Sequence, residues 1–520
     1  MEYLYKTVIP KMTNEIGNIT PKLEVYRYEI LLGVFAFFLA YAIMVFVKKA
    51  KSNYPPGPMG LPIVGYLPFV SNNLHLDFTE LGKKYGDVFS VKLGSQNIVV
   101  LHGTEVIREA FNKTEFHGRP PSSSLEGINP YSPFFGRDCH AWKEQRKFVV
   151  QSMKDLGLGK TKIEDEVMDE VNHFVKVLKS HSGQPIDVKK PLSPSMSNNI
   201  CALVFGKRYD YDNPDRRFLD ENLDETTEFA SDTSLEFLFP WIKHIPFIFK
   251  ILNIDRSFAF ERAFAAFQKI HTFFKKEVDE HANTLDHGLV RDFIDRYLLE
   301  IQAQKEKNPN STFHYDMLIS IMLDIFGAGS ETVRTSILWF IYCIAAFPDI
   351  QKKVHQEIME VLGSDRNPEF QDLKSMPYTH AVILEIMRWK TIIPLSLEYT
   401  LGDSTAGGYY IPKGTVVVAN FWNAHHDPRY WKEPEEFNPE RFLSKDGKSV
   451  VKSNNFMPFS TGRRACPGES MAYIEMFLYF TSILQKFEVA FPPGAKVDFS
   501  AKLTITYRLD PFMVRFIPRN

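Results

Sequence analysis

The chain has 520 residues and a mass of 60.1 kDa, with hydrophobic residues at 44%, aromatics at 14% and 44 phenylalanines, enough apolar material for one large core and an internal pocket. A formal net charge of -2 lacks the basic excess of a nucleic-acid binder. The four cysteines, Cys139, Cys201, Cys343 and Cys466, form no CxxC pair, which suits a reducing compartment and excludes a disulfide-built scaffold.

Residues 1–29 are mixed and polar, and Ile30 to Val47 then run without a charge. A helix of that length rises about 27 Å, close to the hydrocarbon thickness of a bilayer. The run lies late for a signal peptide, lacks a small-residue cleavage site and is followed by Lys48, Lys49 and Lys51. It reads as an uncleaved transmembrane anchor with the body on the cytosolic side, although Lys6, Lys11, Lys22 and Arg27 weaken the charge asymmetry. With 1–29 in the lumen, Asn18-Ile19-Thr20 is either a glycosylation acceptor or an unused sequon. Residues 48–62 are basic and then Pro-rich, too poor in N–H donors for helix or central strand, and read as a stiff hinge; 63–520 form the main body.

Phe89 to Leu93 and Asn97 to Leu101 read as a hairpin around Gly94. Trp142 and Arg146, four apart, share one face of a helix and can present an indole N–H and a guanidinium to the same anion, or simply stack. Helical patterns then alternate with polar loops, and the unusually apolar Leu235 to Phe249 is either core or a membrane-dipping lip. Met317 to Phe347 reads as a long apolar helix interrupted at Gly327-Ala328-Gly329-Ser330-Glu331-Thr332. Small residues there permit close approach, and Thr332 can bond back to the Ala328 carbonyl, opening the ladder to a water or merely capping a kink. Glu331 and Thr332 together could deliver protons as a general acid pair. Glu385 and Arg388 stand three apart among apolar neighbours and read as a buried ion pair. Tyr409 to Val416 reads as strand, turn, strand, and Glu469 to Phe487 as a helix.

The stretch Phe456 to Gly468 holds one cysteine and no second cysteine, histidine or acid at a metal-sharing spacing. A lone cysteine is usually a buried structural residue. A lone thiolate also suits a metal that brings most of its own ligands, as haem iron does. With Cys466 as N-cap of the following helix, Pro467 takes the first helical position, and the N–H groups of Gly468 and Glu469 lie near the sulfur and keep it ionised. Gly462 and Gly468 let the chain approach a flat ring, and Arg464 adds a permanent positive charge for an anionic group. Phe459, Gly462, Arg464, Cys466 and Gly468 at this spacing resemble the haem-binding loop of the cytochrome P450 family. From about Tyr54 onward the chain resembles its microsomal steroid- and drug-oxidising branch.

The resemblance implies a mainly α cytochrome P450 fold with a minor β region behind a single N-terminal transmembrane helix. It implies haem b with Cys466 as the protein's iron ligand, and Trp142, Arg146, Arg119 and Arg464 on the propionates. Ala328, Gly329 and Phe459 would lie against the ring, and Glu331 with Thr332 would supply protons. Glu385, Arg388 and Arg441 would form a structural lock. The implied activity is insertion of one oxygen atom from O₂ into an apolar small molecule, a steroid-like lipid, fatty acid or xenobiotic. Electrons would come from NADPH through a flavoprotein reductase, with a small electron-transfer cytochrome as a further donor and Arg137, Lys143, Lys147 and Arg463 as a basic docking face. The implied location is the endoplasmic reticulum membrane. One departure stands out: many members carry Pro-His where this chain has Glu398-Tyr399, and that His binds a propionate. Tyr399 can offer only a neutral O–H there, and Glu398 is expected to point away. Two other readings are a haem-thiolate isomerase or dehydratase, which ought not need Glu331 and Thr332, and a haem sensor, which would need a second protein ligand near Thr332.

Overall fold

The computed structural model describes residues 53–121, 129, 131–134, 136, 139–157, 161–232, 237–241, 256–308 and 310–519, with scattered positions between 29 and 43. The Ile30 to Val47 anchor lies almost wholly outside the described residues, as does Asn18; Leu32, Gly33, Phe35, Ala36, Ala40 and Ile43 are helical and exposed. Among the described residues no single helix is long and apolar enough to cross a membrane.

Helices dominate: α1 (Leu74–Tyr85), α2 (Thr104–Phe111), α3 (Cys139–Asp155), α4 (Thr161–Ser180), α5 (Lys189–Phe205), α6 (Pro214–Asp232), α7 (Arg256–Asn283) and α8 (Phe293–Lys307) precede the central α9 (Tyr315–Ala346). After it come α10 (Pro348–Val361), α11 (Pro377–Trp389), α12 (Phe421–His426) and α13 (Glu469–Lys486). Because α9 packs against α5, α7 and α13, it is surrounded by protein, which explains a sequence apolar on nearly every side. His314 caps its start, with Nδ1 accepting the Met317 N–H at 3.2 Å. The expected interruption at Gly327 to Thr332 is absent: α9 runs unbroken, because the Thr332 hydroxyl bonds back without displacing the helical ladder.

The strands are short. β1 (Val88–Leu93) and β2 (Gln96–Leu101) form the expected hairpin, Leu93 opposite Gln96, with Gly94 at φ +58° in the turn. Next in chain order are β3 (Ile186–Asp187), β4 (Glu398–Tyr399), β5 (Ser404–Ala406), β6 (Tyr409–Ile411) and β7 (Val416–Ala419). β8 (Phe487–Ala490), β9 (Ala501–Leu503), β10 (Tyr507–Leu509) and β11 (Met513–Pro518) complete them. The largest sheet has the order β1-β2-β7-β4. β7 lies parallel to β2 and is buried throughout, Val416 and Val418 facing one apolar cluster and Val417 and Ala419 the other.

Two further segments meet the body near the β1–β2 hairpin. The Pro-rich stretch is docked on the body, since Pro56 accepts the Ser90 N–H at 2.6 Å and Pro55 the Ser90 hydroxyl at 2.7 Å. Of Leu235 to Phe249 only 237–241 is described, and it packs on the β1–β2 turn: Phe239 is buried, while the Trp241 indole donates to Ser95 at 2.9 Å.

Candidate functional site

The loop before α13 is shaped by its main chain. Met457 accepts the Ser460 N–H at 3.1 Å, Phe459 the Cys466 N–H at 2.9 Å, and Gly462 the Ala465 N–H at 3.2 Å. Ser460 and Gly462 take left-handed φ values of +66° and +73°. Only glycine fits at 462, because a Cβ there would lie 2.3 Å from the Phe111 carbonyl oxygen. The helix starts later than expected: Gly468, not Cys466, is the N-cap, and Pro467 lies in the preceding turn. The first bond of α13 runs from Ala472 N–H to the Gly468 carbonyl at 2.9 Å. The Gly468 and Glu469 N–H groups still donate to the exposed sulfur, as the sequence suggested. Burial nevertheless outweighs them and holds the thiol above its usual range. The Gly468 and Glu469 N–H groups and the Arg146 charge pull against that burial, and a cation held at the sulfur would favour the thiolate further.

Three of the expected anion-binding side chains gather beside this loop. Arg146 donates to the Ala465 carbonyl. Arg464 lies 3.8 Å above the Trp142 ring and donates to the His117 carbonyl from Nε at 3.0 Å and Nη2 at 2.8 Å, and to the Phe134 carbonyl at 3.2 Å. Trp142 is buried, yet its indole N–H has no acceptor among the described residues. An orphan buried donor costs about 1–3 kcal/mol, and a propionate carboxylate is the acceptor this one lacks. Together with a sulfur open on one side and flanked by two N–H donors, this donor set fits a haem.

Around the small-residue stretch of α9, Ala328 is exposed and Leu323, Ile325 and Thr332 are half-buried, with Ile325, Ala328 and Thr332 at helical spacing. Thr332 Oγ donates to the Ala328 carbonyl at 2.8 Å, the back-bond read from the sequence. Gly329 faces elsewhere: a Cβ on it would lie 2.6 Å from Ile200 Cδ1, so its lack of a side chain lets α9 approach α5. Glu331 points away from any open face. It is buried, accepts from Arg334, from Arg508 Nε at 2.7 Å, and from the hydroxyls of Thr335 at 3.1 Å and Thr506 at 3.2 Å. Arg334 in turn binds Asp224 at 2.7 Å. Phe459 contributes its carbonyl to Cys466, and its ring meets Tyr473 at 5.2 Å.

Glu398 and Tyr399 take different partners. The Glu398 carboxylate accepts from Arg119, which also donates to the Leu397 carbonyl at 3.1 Å. The Tyr399 hydroxyl lies 3.3 Å from where a Gly414 Cβ would be. Successive strand residues face opposite ways, and pairing of β4 with β7, Glu398 opposite Val417 and Tyr399 opposite Val416, fixes which goes where.

Glu385, Arg388 and Arg441 are joined as expected. Glu385 accepts from Arg388 Nε at 2.7 Å and Nη2 at 2.8 Å, from Arg441 Nε at 3.0 Å and from the Asn438 N–H at 2.9 Å. Sequence reasoning missed what this lock holds. Arg388 Nη1 donates to the His425 carbonyl at 2.8 Å, and His425 Nε2 accepts the Met457 N–H at 3.0 Å. The Thr391 hydroxyl donates to the Arg388 carbonyl, so its oxygen accepts from His425 Nδ1 at 2.8 Å, which fixes the tautomer. Burial, helped by Arg388, pushes His425 down to about 3 and keeps it neutral.

Asp324 on α9 was also missed. It accepts from Ser132 Oγ at 2.7 Å and Asn129 Nδ2 at 3.3 Å, and burial pushes its carboxyl up to about 7. Phe134, in the same loop as Ser132, accepts from Arg464. That loop therefore ties the Thr332 helix to the Cys466 loop.

Residues 55–516 match the family model described as Cytochrome P450. The chain is 37% identical to human Cytochrome P450 2J2 over 93% of this chain and 94% of the relative. It is 37% identical to Cytochrome P450 2B4 of Oryctolagus cuniculus, over 94% and 99%. It is 33% identical to Cytochrome P450 18a1 of Drosophila melanogaster, over 89% and 87%.

Proposed function

The chain belongs to the cytochrome P450 family, and from that premise we propose that this monooxygenase takes an apolar small molecule of the steroid-like lipid, fatty acid or xenobiotic class at a membrane surface and draws electrons from NADPH through a flavoprotein reductase. The observation that carries the reading is Cys466, open on one face and flanked by the Gly468 and Glu469 N–H donors, beside Arg146, Arg464 and the orphan Trp142 indole. Cys466 is assigned as iron ligand, and Trp142, Arg146, Arg464 and Arg119 as propionate partners.

Bound there, haem supplies the iron chemistry by which one atom of O₂ enters the substrate and the other leaves as water, with two electrons and two protons consumed. The chain positions the reactants. Ala328 and Thr332 line the open face of α9, and the Thr332 hydroxyl holds a proton at Oγ that a rotation away from the Ala328 carbonyl would make available. Glu331, held by Arg334 and Arg508, contributes by fixing α9 beside Thr332, and reaches Lys189 through Arg334 and Asp224, with Lys189 3.2 Å from Asp224. Ile325 and the 42% exposed Leu397 offer the apolar contact that a greasy substrate requires. Lys143 and Lys147, exposed one turn apart on α3, and exposed Arg463 offer charge for an acidic reductase. An anchor at 30–47 and an endoplasmic reticulum location accord with the charge-free run and with the resemblance to the family's microsomal branch.

Cys466→Ala tests the assignment. The variant is expected to lose the thiolate-type carbon monoxide spectrum of the reduced protein, and an unchanged spectrum would remove Cys466 from the iron. Substrate-induced difference spectra across steroids, fatty acids and foreign compounds then separate the substrate classes.

A further inference from the structure

Glu398 is an acid where an acid is unexpected. Its side chain is 5% exposed, and its carboxylate is held by Arg119. Arg119 belongs to the same short segment as His117, whose carbonyl takes two bonds from Arg464, and Gly118 pairs with Tyr399 through backbone bonds of 3.0 and 3.1 Å. The segment that carries Arg119 is therefore fastened on one side to Arg464 and on the other to the strand that carries Glu398.

We propose that Glu398 is a positioning and charge-balancing residue for the cofactor: it holds the Arg119 guanidinium at the propionate edge and cancels one of the arginine charges collected there. The proposal rests on the haem reading above. Arg119, Arg146 and Arg464 would face two propionates, which leaves one positive charge in excess. Glu398 removes that excess. A buried carboxylate is costly alone and strongly held once paired, so Glu398 stays bound to Arg119 and does not drift among the cations. Its side chain reaches Arg119 because strand parity at β4 turns it there, away from Tyr399. The charge near the iron is thus set by a residue that touches neither the iron nor, on this reading, the propionates.

The test uses the full-length holoenzyme with Glu398→Gln, Arg119→Gln and the double variant, and reads the ferric–ferrous midpoint potential and the rate of haem transfer to apomyoglobin. Removing the carboxylate charge disfavours the more positive ferric state more than the ferrous one, so Glu398→Gln is expected to shift the midpoint positive, with haem transfer faster than in the parent because Arg119 loses its anchor. Arg119→Gln is expected to shift it negative with faster haem transfer, and the double variant to return toward the parent value. A Glu398→Gln protein with lowered thermal stability and an unmoved potential overturns the proposal and leaves an ordinary structural pair. Should Glu398→Gln fail to load haem, Arg119→Gln still decides: an unmoved or positive midpoint overturns the proposal. Failure of the haem reading itself is separate, since the parent protein would then lack the thiolate-type carbon monoxide spectrum.

Discussion

His425 and Met457 are joined by a single hydrogen bond of 3.0 Å, in which the Met457 N–H donates to the imidazole Nε2. Through it the buried Glu385–Arg388–Arg441 lock reaches the loop that carries Cys466. His425→Ala strands that N–H, which costs about 1–3 kcal/mol, and is expected to lower both the thermal midpoint and haem retention. The loss should shrink in acid. His425 is held at about 3 in the folded chain, so the unfolded chain takes the proton first as pH falls below its ordinary value, 6.5. Wild-type stability from this residue then fades as pH falls from 6.5 toward about 3, and since about 1.4 kcal/mol is lost per pH unit, denaturant midpoints for the two proteins should meet roughly one to two units below 6.5 and then cross.

Glu385→Ala should be far more damaging than Arg441→Lys. The first leaves the buried Arg388 and the partly buried Arg441 without their anion, an effect of about 3–5 kcal/mol, whereas the second keeps the charge and one donor. Glu385→Gln, which keeps an acceptor, should fall between. Yield of haem-loaded protein and thermal unfolding give the order; equal loss in all three would show that the lock does not act through charge.

Glu475 supplies a prediction of opposite sign. Burial pushes its carboxyl up to about 8 against the pull of the Asn199 amide, which donates at 2.8 Å. The folded chain keeps it protonated while the unfolded chain ionises it above 4.5, so it withdraws stability as pH rises from 4.5 to about 8. Glu475→Gln keeps the acceptor for Asn199 and is expected to be more stable than the parent near the upper limit and indistinguishable below the lower one. Unfolding curves at the two ends decide it.

Much of this was readable in the chain. The apolar run of α9, the hairpin around Gly94 and the Glu385–Arg388 spacing each follow from local pattern, because the residues that decide them are neighbours in sequence. What escaped depended on distant partners. Glu331 turns to Arg508, and Glu398 faces Arg119 because β4 pairs in one register with β7. His425 offers no spacing to either Arg388 or Met457, and Asp324 is an acid inside an apolar helix whose donors lie in a remote loop. The late start of α13 is a smaller matter: the turn at Pro467 and Gly468 delays the ladder by two residues while the sulfur keeps its N–H donors.

Thr332→Ala removes the hydroxyl now bonded to the Ala328 carbonyl and leaves α9 otherwise intact, since that bond is additional to the ladder. Product formation is expected to fall more than oxygen consumption, the difference appearing as hydrogen peroxide, because the positioned proton is gone. Equal falls in both would mean that Thr332 acts on the helix rather than on proton supply.

The Cys466 loop is gripped almost entirely by its main chain: His425 takes an N–H of Met457, Arg146 a carbonyl of Ala465, and Phe459 closes on the Cys466 N–H. A scaffold that holds amides cannot distinguish one side chain from another. Substitutions at Ser460 or Thr461 that respect the local φ values should therefore be absorbed with little loss of the loop's shape, while Gly462 tolerates none and the buried Met457 must stay apolar. A saturation library over the loop would be expected to accept variation at exposed positions such as Arg463 while holding Gly462 for its backbone and Arg464 and Cys466 for their side chains, so drift confined to those exposed positions need not signal a change in the centre the loop surrounds.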